Sequence, residues 1–208
     1  MIKNIVFDIG GVLVEVRRNE AIRQFQAIGL ADADQLIDSY QHKGLFFEIE
    51  NGVIDADTFC RLLCEHAGKN IARKAIEQAW RSLILDPPAY KLVYLLELRK
   101  KYKLYLLSNN NPILIDGWAR TPAFSPAGRP VSDYFDRLYL SYEMKCSKPD
   151  PAIYEAMIRD SGVIPSETLF VEDGLKNLEA GKVAGFQTYL AINGEDWRKP
   201  IEDLLSNQ

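Results

Sequence analysis

The chain has 208 residues, of which 47% are hydrophobic and 26% charged, and its 25 Lys+Arg against 29 Asp+Glu give a net charge of −4. This composition excludes a disordered chain, and it excludes a non-specific nucleic-acid binder, whose phosphate contacts need clustered Lys and Arg. No apolar run approaches the roughly 18 residues that suggest a membrane span, and Asp8 breaks the first apolar stretch too early for a secretion signal.

Asn4 to Asp8 (NIVFD) is a short apolar, β-branched run ending on an acid, as expected of a strand buried on both faces. Gly10 and Gly11 then mark a turn. From Asn19 to Leu85 the spacing is helical: Ala21, Ile22, Phe25 and Ile28 form one stripe, and Ile76, Ala79, Trp80, Leu83 and Ile84 form another. Asp32 with Gln35 predicts a capping box, and Asp55 predicts the N-cap of a helix that buries Phe59, Leu62 and Leu63. Cys60 and Cys64, four apart, are expected on one buried face. With Cys146 they make neither an even disulfide framework nor a zinc set, which points to a reducing compartment, the cytoplasm.

After Asp86-Pro87-Pro88 a helix is predicted from Ala89 to Lys101. Four more short strands follow: KLYLLS (103–108), RLYLS (137–141), TLFVED (168–173) and QTYLAI (187–192), most of them separated by helical segments. Alternating strands and helices imply an α/β fold, a Rossmann-like parallel sheet with helices on both faces, here interrupted by an all-helical insert. The expected division is a core of residues 1–15 and 87–208 and a helical cap of residues 16–86. Asp150-Pro151 reads as the N-cap and first residue of a helix. The stretch TPAFSPAGRPVS (121–132) reads as an ordered surface loop, expected to share substrate selection with the insert. Trp80, Trp118 and Trp197 read as packing residues, Trp118 standing out because it closely follows LLSNN and precedes the 121–132 loop. His42 and His66 read as surface or half-buried helix residues.

Ligands of open parallel sheets bind beyond the carboxyl ends of the strands. Asp8, Ser108-Asn109 and Glu172-Asp173 stand at such ends, and Lys148-Pro149 follows a few residues after the third strand. Paired carboxylates supply hard oxygen ligands for Mg²⁺, a lysine and a hydroxyl hold phosphoryl oxygens, and a carboxylate can attack phosphorus.

The segments FDIGGVL (7–13), LLSNN (106–110), SKPDPAIY (147–154) and FVEDGLKNLEAG (170–181) resemble, in order and spacing, the four motifs of the haloacid dehalogenase-like hydrolases. The insert sits where that family carries its type-1 helical cap. The resemblance implies that Asp8 is the nucleophile and a metal ligand, that Lys148 is catalytic, and that Ser108, Asn109 and Lys148 bind phosphate. It implies Mg²⁺ held by Asp8, the Gly10 carbonyl and Asp173, with Glu172 and Asn177 supporting from behind. The arm of Glu172, longer than the Asp or Gly often found there, argues against direct ligation. Most family phosphatases carry an Asp where this chain has Gly10; that Asp protonates the leaving group and then activates water. The Gly is similar to a phosphatase subfamily that includes enzymes acting on glucose 1-phosphate, whose leaving group needs less protonation. Otherwise a cap residue stands in, and Glu48, Glu50 and His42 are the candidates.

The expected function is an Mg²⁺-dependent phosphatase of small phosphorylated metabolites, sugar phosphates among them, working through an aspartyl-phosphate. The alternatives are a metal-free 2-haloacid dehalogenase, disfavoured by the second acid Asp173, and a phosphometabolite-binding protein with residual activity. Neither nucleic acid nor membrane is expected as a partner, and the sequence leaves the oligomeric state open.

Overall fold

A computed structural model describes residues 1–38 and 42–206. Strand β1 (Asn4–Phe7) leads into a turn and then five helices: α1 (Arg18–Ala27), α2 (Ala33–Leu36), α3 (Leu45–Glu50), α4 (Ala56–His66) and α5 (Arg73–Arg81). Helix α6 (Ala89–Leu98) returns the chain to strand β2 (Lys103–Ser108). Short α7 (Pro112–Leu114) runs into a wide turn at Ile115–Ala119, followed by two 3₁₀ turns, Pro122–Phe124 and Val131–Tyr134. Then come β3 (Arg137–Leu140), α8 (Ser141–Met144), α9 (Pro151–Ser161), β4 (Thr168–Glu172), α10 (Leu175–Val183), β5 (Gln187–Leu190) and α11 (Arg198–Ser206). The five strands form one parallel sheet in the order β3-β2-β1-β4-β5. The predicted α/β architecture, with its helical insert between β1 and α6, is the observed one.

Strand alternation decides the two faces of the sheet. Ile5, Phe7, Leu104, Leu106, Leu169 and Val171 point to one side, into the larger apolar cluster. Val6, Leu107 and Phe170 point to the other, against Ile153, Tyr154 and Met157 of α9. The larger cluster is continuous with the inserted helices, where Phe25, Phe46, Phe59 and Trp80 pack with ring centroids 5.0–5.9 Å apart. The insert thus packs against the sheet through a shared core.

Local signals explain the starts of three helices, α4, α7 and α9. Asp55 accepts a hydrogen bond from Thr58 N–H at 2.8 Å, as predicted, and opens α4. Asp150 accepts from Ala152 N–H at 2.9 Å and Pro151 is the first helical residue of α9, which ends at Gly162 with φ of 69°. The capping box expected at Asp32 does not form. The Asp32 carboxylate instead hydrogen-bonds His66 Nε2 at 2.9 Å. Helix α2 has four residues, so a cap there satisfies few free N–H groups and the longer-range partner wins. Helix α6 ends at Leu98 rather than at Lys101. Cys60 and Cys64 are half-buried against the core, and Cys64 Sγ accepts from Ile71 N–H at 3.3 Å.

Trp80 is fully buried at the centre of the aromatic group, and its indole N–H has no hydrogen-bond partner among the described residues. We expect Trp80→Ala to cost about 3–5 kcal/mol in urea unfolding, as truncations of large buried aromatics do. Trp80→Phe should cost clearly less, because no indole hydrogen bond is lost with it. Equal losses would contradict a packing role.

Candidate active site

The register of the sheet builds the site. Phe7 pairs with Leu106 on one side and with Val171 on the other, so the next residues, Asp8, Leu107 and Glu172, lie side by side at the carboxyl end of the sheet. Ser108 ends β2 one residue later, and Asp8 N–H donates to Val171 O at 3.0 Å. Asp8, Ser108, Lys148 and Glu172 are all buried.

Lys148 is the centre of the arrangement. Its ammonium donates to Leu107 O at 2.9 Å and to Glu172 Oε2 at 2.5 Å, and lies 3.1 Å from Asp8 Oδ1. Burial alone would lower its pKa, but Asp8 and Glu172 together hold it above the ordinary lysine range. Its backbone is fixed as well. Asn109 Nδ2 donates to Lys148 O and Lys148 N–H donates to Asn109 Oδ1, both at 2.8 Å, so both polar ends of the Asn109 side chain are engaged. Glu172 is tied on its second oxygen: Oε1 accepts from Gly174 N–H at 2.9 Å and from Asn177 Nδ2 at 3.2 Å.

The remaining acids are strained electrostatically. Burial pushes the Asp8 carboxyl up to about 6, with Lys148 and the Ser108 hydroxyl pulling it back and Glu172 pushing further. Asp173 is pushed up to about 7, first by burial and then by Asp8 and Glu172. Oxygen atoms of Asp8, Glu172 and Asp173 lie within 4.8 Å of one another, with the Lys148 ammonium the cation against Asp8 and Glu172. Carboxylates gathered this closely, outnumbering the one ammonium, fit a hard divalent cation such as Mg²⁺. Gly11 makes room for them: its φ is 69°, and a side-chain carbon there would collide with the Asp173 carboxylate. Gly10 differs, since its φ is not positive and an added Cβ would meet only Val16 Cγ2, at 3.3 Å.

These residues line a crevice of about 140 Å³ whose outer wall comes from the insert, with Arg18, Asp38, His42 and Glu50. All the sequence-predicted site residues except Ser108 line it directly, and the Ser108 hydroxyl is hydrogen-bonded to the Asp8 carboxylate that does. Of the cap candidates, His42 and Glu50 reach the crevice and Glu48 does not. The loop 121–132 does not reach it either. It is the expected surface loop, anchored by the buried Phe124, Ser125 and Val131, with Trp118 tilted against Phe124 and under the Arg81 guanidinium. Arg18, Asp38 and Asn110 were missed by sequence reasoning. Arg18 is fixed by Ile37 O at 2.6 Å and Asp34 O at 2.9 Å, contacts that no local motif announces.

The raised Asp173 pKa has a stability consequence. In the folded protein Asp173 binds its proton up to about pH 7, whereas the unfolded chain releases it near 3.8. Stability of the cation-free protein therefore falls as pH rises through this window, and the cost is complete above it. We expect Asp173→Asn to raise the melting temperature by a few degrees at pH 8, for a gain on the order of 1–2 kcal/mol, and to lose most of this advantage by pH 5. A variant less stable than wild type at pH 8 would contradict the electrostatic account.

Residues 2–185 match the family described as haloacid dehalogenase-like hydrolase. Among curated proteins, the D-ribitol-5-phosphate phosphatase of Bacteroides thetaiotaomicron is 47% identical over 207 residues, covering 100% of both chains. Among solved structures, a HAD-like family hydrolase of Porphyromonas gingivalis superposes with a TM-score of 0.96 at 41% identity, covering 100% of both chains. A HAD family enzyme of B. thetaiotaomicron, solved with magnesium and inorganic phosphate, superposes with a TM-score of 0.86 at 39% identity, over 95% of this chain and 98% of that one. With its four motifs gathered at one end of the sheet and this match over nearly its full length, the chain belongs to the haloacid dehalogenase-like hydrolase family.

Proposed function

We propose that the protein is an Mg²⁺-dependent phosphatase of a small, hydroxyl-rich phosphate monoester, with D-ribitol 5-phosphate the first candidate. The carrying observation is the Lys148 ammonium buried between Asp8 and Glu172 beside a cluster of carboxylates. A buried cation at a carboxylate nucleophile suits an incoming dianion, because it offsets charge where phosphoryl oxygens gather. The full-length similarity to a sugar-alcohol phosphatase supports the substrate class. So does the outer wall of the crevice, where Arg18, Asp38, His42 and Glu50 offer donors and acceptors to hydroxyls. The acidic cluster weighs against a metal-free dehalogenase, whose carboxylate substrate it would repel.

In this reading Asp8 attacks phosphorus in line and becomes phosphorylated. Lys148 and Ser108 hold the phosphoryl oxygens, with the backbone at Asn109. Glu172 and Asn177 keep Lys148 and the turn at Gly174 in place. Asp8, the Gly10 carbonyl and Asp173 would hold Mg²⁺. When bound, the ion neutralises charge on the phosphoryl oxygens. Residues 16–86 act as a cap that covers the crevice and excludes water. The three free cysteines support a reducing, cytoplasmic setting, and among the described residues no helix is long and apolar enough to cross a membrane.

A panel of phosphorylated polyols and sugars, assayed with and without Mg²⁺, tests the substrate class. Turnover should need Mg²⁺ and be greatest on open-chain polyol phosphates, and Asp8→Asn should lower it by roughly 10⁴-fold or more while the fold stays intact. Full turnover in Asp8→Asn would sink the covalent route. In a metal titration, Asp173→Ala should raise the Mg²⁺ Kd by more than roughly 100-fold. Glu172→Ala should stay within the roughly 10–100-fold typical of groups that only support a ligand. Equal losses would mean that Glu172 itself ligates the ion.

A further inference from the structure

We propose that Glu50 of the insert, with His42 beside it, is the general acid–base of this site and does the work for which Gly10 has no side chain. The inference rests on the phosphatase reading above. In-line attack by Asp8 places the leaving oxygen on the far side of phosphorus, toward the wall formed by the insert. Glu50 belongs to that wall.

Three observations single it out. First, Glu50 is anchored to the strand ends. Ser141 Oγ donates to Glu50 O at 2.5 Å and itself accepts from Asn110 N–H at 2.9 Å, so the end of α3 is tied to the turn that follows Ser108 and Asn109. Lys145 Nζ, donating to Gly52 O at 2.6 Å, adds a second tie two residues on. Second, the Glu50 side chain is only 14% exposed and the His42 side chain 11%, with His42 Nε2 3.6 Å from Glu50 Oε1. Burial pushes the Glu50 carboxyl up and His42 pulls it back, so a proton is retained closer to neutral pH than on an ordinary glutamate. Third, Trp80 and Phe46 fix the His42 ring at centroid distances of 5.8 and 6.1 Å, which holds it beside the Glu50 carboxyl in the crevice wall. Arg18 cannot supply the proton, because a guanidinium stays charged at any working pH and this one is held by two carbonyls.

The steps balance. As an Asp8 oxygen bonds to phosphorus and the ester P–O bond breaks, the Glu50 proton passes to the departing oxygen and a neutral alcohol leaves. Water then attacks phosphorus, its proton passes to Glu50, and the Asp8–phosphorus bond breaks. Asp8 is free again, Glu50 is protonated, and the net products are alcohol and phosphate.

The test is pre-steady-state burst kinetics, with substrate in excess and Mg²⁺, on a polyol phosphate and on p-nitrophenyl phosphate, comparing wild type, Glu50→Gln and Glu50→Gln with Gly10→Asp. In Glu50→Gln, first-turnover release of the polyol should slow by roughly 10²–10⁴-fold, since an alkoxide needs protonation to leave. First-turnover release of nitrophenol should stay within a few-fold of wild type, and later turnovers should slow because water activation is lost. Adding Gly10→Asp should restore the polyol rate, as its backbone conformation admits a side chain. The proposal is overturned if Glu50→Gln slows both first turnovers by the same factor, if only KM changes, or if Asp38→Asn shows the leaving-group effect instead. Should Glu50→Gln not fold, Gly10→Asp alone decides: an unchanged ratio of polyol to aryl rates supports Glu50 as the existing proton source, and a ratio raised more than tenfold overturns it. A wild type that turns over neither ester would instead reject the phosphatase reading.

Discussion

The site depends on one buried cation. Lys148 sits beneath the carboxyl ends of β1, β2 and β4 and touches all three: Asp8 from the first, the Leu107 carbonyl from the second and Glu172 from the third. A lone ammonium buried there would be too costly to keep charged, and two unpaired carboxylates would be worse. Together they fix one another, and the parallel register brings them to the same level without further adjustment. Asn109 holds the lysine backbone, and Asn177 and the Gly174 amide hold Glu172. Asp8, Asn109, Glu172 and Asn177 can all be traced back to keeping this ammonium in place.

The arrangement is unbalanced without a ligand. One ammonium faces three carboxylates, and the excess negative charge appears as the raised pKa values of Asp8 and Asp173. A divalent cation corrects that excess, and a phosphate dianion then finds both cations ready. The same crowding that costs stability suits the site to a divalent cation, a trade that functional sites commonly show. Gly11 belongs to this logic, because only a residue without a side chain leaves Asp173 its position.

The sequence made the sheet and its chemistry legible for a physical reason. Short apolar β-branched runs ending in polar residues say both where strands lie and what stands at their ends, so Asp8, Ser108 and Glu172-Asp173 could be placed before any coordinates. Asp55 and Asp150 were readable as caps because capping is local. Interactions distant in sequence were not. Asp32 carries a capping signature yet pairs with His66, and the loop 121–132 has the composition of a functional loop yet packs Phe124 and Val131 into the core. Arg18 and Asp38 reach the crevice through tertiary packing that leaves no spacing to read, whereas Asn110 simply follows Asn109 past the end of β2. Glu48, Glu50 and His42 were equivalent by composition. The ties from Ser141 and Lys145 bring the end of α3 to the strand ends, and Glu50 and His42 line the crevice while Glu48 does not.

The central claim is that Asp8 becomes phosphorylated. The direct measurement is rapid acid quench of the protein during turnover of a polyol phosphate with Mg²⁺, followed by peptide mass spectrometry. The account predicts a phosphoryl group on the peptide bearing Asp8, appearing within the first turnover and decaying once substrate is exhausted. Sustained turnover with no phosphoryl group on that peptide at any quench time would contradict it.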